Sequence, residues 1–198
     1  MLHPLGFIHG RFQVLHNDHL AYLLAGKDLC DRLIVGITNP DTASICDEAT
    51  APERSNRDNN PLTYDERKAM IETALSDTGV DPNEFSVVPF PISRPELFEK
   101  HAPRDAVYYL TIYDDWGREK KKRLEAHGLR THVMWERPLE FKGISGKDVR
   151  AAIRDNGDWH HLVPPGVAKL VEQWNLQDRF NREKPFKAGS PHQCKQAF

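Results

Sequence analysis

The chain has 198 residues, with 27 Lys and Arg against 29 Asp and Glu for a formal net charge of −2 at pH 7. That length holds one domain with a full core, and the near-neutral balance excludes a global field that would recruit nucleic acid or membrane. Three cysteines (Cys30, Cys46, Cys194) with no C-x-x-C pair argue against a disulfide framework, and with neither a signal-peptide pattern nor the roughly 18 apolar residues of a membrane span, a cytoplasmic location is expected.

Short apolar runs alternate with longer amphipathic ones. The run LGFIHG predicts a buried strand, DHLAYLLAGKDLC a helix with Leu20, Leu23 and Leu24 on one face, and RLIVGIT a second strand. The polar stretch from Asn39 to Asn60 is too long for an idle connection, and its composition suits either a lid over substrate or plain mobility. Then LTYDERKAMIETAL predicts a helix, with Thr63 as N-cap and Glu66 three residues on in capping-box spacing.

A strand (FSVVPFPI), a short helix (RPELFEKHA), a strand (AVYYLTIY), a helix (DWGREKKKRLEAHG) and a strand (RTHVMWE) follow. SGKDVRAAIRDN and PPGVAKLVEQWN close the periodic part as two helices, the second led by prolines. The alternation predicts an α/β fold: a mostly parallel five-stranded sheet with helices on both faces. A helical extension from about residue 145 belongs to the same domain, which spans 1–180, and 181–198 form an aperiodic tail.

In open α/β sheets ligands gather at the carboxyl ends of strands, where helix starts offer free N–H groups. The first strand ends near His9 and Gly10, and Arg11, His16 and His19 follow at the entry to the next helix. Gly10 leaves the backbone open to a ligand, and Arg11 offers a guanidinium fork for phosphate oxygens. Neither G-x-G-x-x-G nor G-x-x-x-x-G-K-[ST] is present here, so imidazoles and a helix dipole would have to do the holding. Alone, His16 and His19 fit a surface pair or half a zinc site, but no further ligands stand at metal spacing. Ser145 alone reads as an N-cap, and Arg150 alone as a solvated helix residue. Trp116 offers either a stacking face for a base or a partly buried cap on its helix. Trp159 reads as core, and Asn39 stands at the same sheet edge as the other candidates. The run Arg118 to Arg123 is a solvated helix face, diluted by Glu119 and lacking interleaved aromatics.

The segment GRFQVLHNDH resembles the G-R-F-Q-P-x-H-x-G-H signature of the HIGH-motif nucleotidyltransferases, and GISGKDVR resembles their I-S-G-T-x-[IV]-R motif. NNPLTYDERKAMI and GDWHHLVPPGVAKLV are similar to segments of the archaeal-type nicotinamide-mononucleotide adenylyltransferases, and the likeness runs from about residue 5 to 180. The resemblance implies a Rossmann-like fold and transfer of the AMP part of ATP to nicotinamide mononucleotide, giving NAD and pyrophosphate. It implies catalytic roles for Arg11, His16, His19 and Arg150, and nucleotide contacts from Gly10, Phe12, Gln13, Ser145, Lys147 and Arg150. Asn39 and Trp116 are candidate substrate contacts. Mg²⁺ would ride on the phosphates with no dedicated protein metal site, and the enzyme would be a homo-oligomer with neither nucleic-acid nor membrane partners. Nicotinate mononucleotide, a non-NAD phosphate acceptor, or a sensor with little catalysis are the alternatives.

Three positions depart from the signatures: Val14 stands for proline, Asp18 for glycine and Lys147 for threonine. Asp18 brings negative charge towards the nucleotide, and Lys147 is expected to offset it.

Overall fold

The computed structural model describes residues 2–41, 56 and 59–182. Five strands, β1 (His3–Gly10), β2 (Cys30–Ile37), β3 (Phe85–Pro89), β4 (Val107–Ile112) and β5 (Arg130–Glu136), form one sheet. Their order is β3-β2-β1-β4-β5, and every pair is parallel. A parallel sheet needs cover on both faces, so its central strands are apolar on successive residues rather than alternate ones. Phe7 and Ile8, and likewise Tyr108 and Tyr109, are fully buried neighbours that point to opposite sides.

Among the described residues seven helices supply the cover: α1 (Asn17–Lys27), α2 (Tyr64–Asp77), α3 (Phe98–His101), α4 (Asp115–Ala126), α5 (Gly146–Arg154), α6 (Pro165–Gln173) and α7 (Leu176–Arg182). On one face Ile8, Leu33, Val35 and Tyr109 pack with Leu23 of α1, Met70 and Leu75 of α2, Ile153 of α5, Val167 of α6 and Phe180 of α7. On the other, Phe7, Tyr108 and Leu110 pack with Phe90, Phe98 of α3, and Trp116 and Leu124 of α4. Phe7 stacks on Tyr108 at 4.6 Å and meets Phe90 edge-on at 4.9 Å, both within the favourable range for ring pairs. The architecture is the Rossmann-like doubly wound sheet.

Local choices agree with this arrangement. Leu23 is fully buried and Leu20 and Leu24 pack partly buried against the same core, as their spacing predicts. Thr63 Oγ1 accepts from the Glu66 N–H at 3.2 Å while Glu66 Oε2 accepts from the Thr63 N–H at 2.8 Å, so the expected capping box forms. Trp159 lies in the core.

Other expectations gain detail. The short helix after β3 is a 3-10 turn, Pro95–Leu97, running into the four-residue α3. α7, with only Leu176 and Phe180 apolar and buried at i, i+4 spacing, carries the helical part past residue 180 to Arg182. Residues 183–198, and with them Cys194, lie outside the described residues, as do 42–55 and 57–58 of the segment read as a lid or mobile loop, Cys46 included. Cys30 is a buried free thiol, its pKa pushed up mainly by burial. No helix among the described residues is long and apolar enough to cross a membrane.

Candidate active site

The chain runs outward from β1 through β2 to β3, then returns to the other side of β1 for β4 and β5. Such a reversal leaves a crevice at the carboxyl ends of the two strands where the order turns. Here a cleft of ≈ 460 Å³ opens between β1 and β4, lined by His9 and Gly10 from the end of β1 and Thr111 from β4. α1 contributes Asp18, His19 and Tyr22, and α5 with its N-cap contributes Ser145, Gly146, Lys147 and Arg150. The two signature segments, far apart in sequence, face one cleft. All of the expected catalytic and nucleotide-contacting residues, from Gly10 to Arg150, are among those that line it.

His16 is the N-cap of α1 rather than its first helical residue. Its ring stacks on His19 at 3.6 Å between centroids, and His19 Nδ1 accepts from the His16 N–H at 3.4 Å. Burial drives the His16 pKa down to about 4, against a smaller raising effect of Asp18 and Asp148. At neutral pH His16 therefore presents a neutral imidazole, which can donate one N–H to a phosphate oxygen. Its Nδ1 is buried and makes no hydrogen bond.

Ser145 caps α5: its Oγ accepts from the Asp148 N–H at 3.2 Å and donates to the Asp148 carboxylate at 2.6 Å. The amide groups of the first turn of α5 thus begin at the cleft wall, where an anion is favoured. A Cβ on Gly146 would overlap the Gln13 carbonyl oxygen, so this glycine permits α5 to start against the first signature turn. Arg150 is buried, donates to the Gln13 carbonyl through Nη1 and to Asn59 Oδ1 at 2.9 Å through Nη2, and is lowered to about 10 chiefly by that burial.

Gln13 and Phe12 act through the chain itself. The Gln13 side-chain amide makes paired hydrogen bonds with the Leu62 backbone, donating at 3.1 Å and accepting at 2.9 Å. Phe12 takes a left-handed φ of 52°, uncommon for a bulky residue, and its ring lies beneath Gly10, where a Cβ would come within 2.9 Å. Gly10 thus makes room for a side chain of the protein as well as facing the cleft.

Asp18 does not meet Lys147. Its Oδ2 accepts from the Ile144 N–H at 2.6 Å, reaching across to the loop that precedes α5, while Lys147 stands exposed at the cleft.

A smaller annex of ≈ 30 Å³ adjoins the cleft, sharing His9, Gly10, Arg11, Trp116 and Lys120 with it and adding Thr38, Asn39, Ile92 and Ser93. Both candidate substrate contacts, Asn39 and Trp116, line it. Trp116 is otherwise a core residue, with the Arg123 guanidinium 5.3 Å from its ring centroid.

Arg67 of α2 escaped the sequence reading. It is fully buried and donates to four carbonyls: Thr63 at 3.0 Å, Arg11 at 3.1 Å, Thr38 at 2.8 Å and Asn39 at 2.8 Å. Those last three are the exits of β1 and β2, so one guanidinium pins the annex floor. Burial lowers it to about 10. Asn59, the partner of Arg150, was also missed.

Among the described residues no group of three or more His, Cys, Asp or Glu is placed to hold a metal ion. The donors of the cleft suit phosphate oxygens, so a divalent ion would enter with the nucleotide as part of the substrate.

The cytidylyltransferase-like family model matches residues 7–152, which takes in β1 from Phe7 on, the other four strands, the cleft lining and both signature segments. The chain belongs to the cytidylyltransferase-like family. As a member it is an enzyme, a nucleotidyltransferase. Phosphonoformate cytidylyltransferase of Streptomyces viridochromogenes is 49% identical over 174 residues, covering 88% of this chain and 94% of its own. Nicotinamide-nucleotide adenylyltransferase of Methanothrix thermoacetophila is 31% identical over 170 residues, covering 85% of this chain and 89% of its own. Among solved structures, a bifunctional NMN adenylyltransferase/ADP ribose pyrophosphatase from Francisella tularensis superposes with a TM-score of 0.60 at 16% identity, over 94% of this chain and 58% of that one. The same bifunctional enzyme is known in complex with AMP and a manganese ion. The Rossmann-like fold and the nucleotidyltransferase class expected from the two signatures therefore stand.

Proposed function

We propose that the protein transfers the cytidylyl group of CTP to an oxygen of a compact phosphonate or phosphate acceptor, releasing pyrophosphate. The observation that carries this reading is the annex. At ≈ 30 Å³, between Arg11 and Lys120, it has room for a carboxylate-sized anionic group. The group seated in the annex itself is then a compact anion, as a small acceptor would supply. Phosphonoformate, which joins a phosphonate directly to a carboxylate, has the right size and charge. The relative named for that acceptor is also the more similar of the two, at 49% against 31% identity.

The chemistry follows from the site. An oxyanion of the acceptor attacks the α-phosphorus in line, the bond from that phosphorus to the bridging oxygen breaks, and pyrophosphate leaves with the electron pair. The acceptor is already ionised at neutral pH, so no general base is required. Positioning and charge neutralisation remain. His16 and His19 donate N–H groups to the triphosphate, Ser145 and Lys147 meet it at the start of α5, and Arg150 adds its charge from the wall. Arg11 lies between cleft and annex, where the two substrates would join. Mg²⁺, bound by the phosphates, belongs to the nucleotide substrate.

Pyrophosphate release tests the reading, with CTP or ATP and Mg²⁺ against phosphonoformate, nicotinamide mononucleotide, nicotinate mononucleotide or no acceptor. Release is expected with CTP and phosphonoformate. Release confined to ATP with a pyridine mononucleotide would overturn the small-acceptor reading in favour of NAD synthesis, and no release with any pair would leave a binding protein without transferase activity.

A further inference from the structure

Two ties hold the signature segments together across the cleft. One is the Arg150 guanidinium on the Gln13 carbonyl. The other is the Asp18 carboxylate, which accepts from the Ile144 N–H at 2.6 Å. A carboxylate-to-amide bond that short is charge-assisted and stronger than a neutral one. It also has a matched neighbour: a Cβ on residue 143 would overlap Asp18 Oδ2, so the carboxylate reaches the loop because Gly143 stands there. Asp18 occupies the place of the signature's glycine, and the structure gives it a partner 126 residues away.

We propose that Asp18 is a positioning residue for the nucleoside triphosphate. By holding the loop before α5 to the first turn of α1, it fixes the separation between His19 on one side and Ser145 and Lys147 on the other. This rests on the nucleotidyl-transfer reading, which puts the triphosphate between those two helix starts. The proposal opposes the simpler idea that Asp18 only repels phosphate and is offset by Lys147. On that idea removing the carboxylate tightens nucleotide binding; here removal weakens it.

The experiment uses the full chain with Asp18→Asn, Asp18→Ala and Gly143→Ala, read in two ways. Amide hydrogen exchange without nucleotide reports the tie itself. The Ile144 amide is expected to exchange at least about tenfold faster in Asp18→Ala and Gly143→Ala, and to keep its protection in Asp18→Asn, whose amide oxygen can still accept. Titration with CTP and Mg²⁺, and separately with ATP and Mg²⁺, reports the positioning. The dissociation constant should rise about tenfold in Asp18→Ala, return to within about threefold of wild type in Asp18→Asn, and rise no further when Asp18→Ala and Gly143→Ala are combined. Tighter or unchanged binding by Asp18→Ala, or an Asp18→Asn variant as weak as Asp18→Ala, would overturn the positioning role alone. A wild-type protein that binds neither nucleotide would instead overturn the nucleotidyl-transfer reading, and this role with it.

Discussion

His16 shows how a single residue can be legible in its motif and still surprise in its state. The sequence places an imidazole at a helix entry, where a positive charge is the obvious inference. Burial reverses that: a pKa of about 4 keeps the free protein's His16 neutral at pH 7. The sign for stability follows from linkage. Between pH 6.5 and 4 the unfolded chain takes up a proton that the folded chain excludes, so stability falls as pH falls through that window. Across it, the wild type should lose roughly 3 kcal/mol relative to His16→Gln, which has nothing to protonate. Thermal melts of both proteins at several pH values between 6.5 and 4 check this. A gap that stays constant would mean that folding leaves the proton affinity of this imidazole unchanged. Arg67 is the opposite case, invisible as a residue. Within YDERKAMIETAL it is one charge among several on an amphipathic helix, and such charges ordinarily face water. Nothing local marks it as fully buried, because its partners Arg11, Thr38 and Asn39 come from other elements.

Elements explain why those partners meet. β1 and β2 end side by side, with Gly10 paired to Ile37, and the Thr38 N–H bonds the Gly10 carbonyl at 2.8 Å. α2 then lays its first turn across both exits, its start fixed by the Thr63–Glu66 box, and Glu66 is held in turn by Arg179 of α7 at 2.6 Å. The run of apolar residues foretells each strand, and the capping spacing foretells the start of α2. The order β3-β2-β1-β4-β5 and the contact of α7 with α2 are set by packing between elements. α7 was missed for a related reason: LQDRFNR carries two apolar residues in seven, too few for a periodic signal. The Arg67 linkage yields a prediction at this scale. Arg67→Met fills much of the volume but leaves four carbonyls without their donor, and the loss should be about 3–5 kcal/mol. At about 2–4 °C per kcal/mol for a chain of this size, the melting temperature should drop by at least about 6 °C. A drop of a degree or less would show that water satisfies those carbonyls as well as the guanidinium does.

Across the whole molecule, the C-terminal helices join the sheet in one core. Val167, Val171, Leu176 and Phe180 belong to the same buried cluster as Ile8, Leu23 and Met70, so α6 and α7 complete the face that α1, α2 and α5 begin. The cleft depends on this, because α5 carries Ser145, Lys147 and Arg150 and is held between the first signature turn and α7. The four tryptophans are divided between the two regions, with Trp116 and Trp135 beside the sheet's β4–β5 half and Trp159 and Trp174 among the C-terminal helices. If the parts unfold as one unit, tryptophan fluorescence and far-UV circular dichroism must report the same transition. Phe180→Ala sharpens the test. Removing a buried phenylalanine costs about 3–5 kcal/mol, and in a single cooperative unit that loss lowers both transitions together by at least about 6 °C. It should also weaken CTP binding only at temperatures where the unfolded fraction grows, since Phe180 is absent from the cleft lining. A fluorescence transition that falls while the sheet's dichroism stays in place would instead make the C-terminal helices a separately melting unit, with α5 and the second signature free to detach from the first.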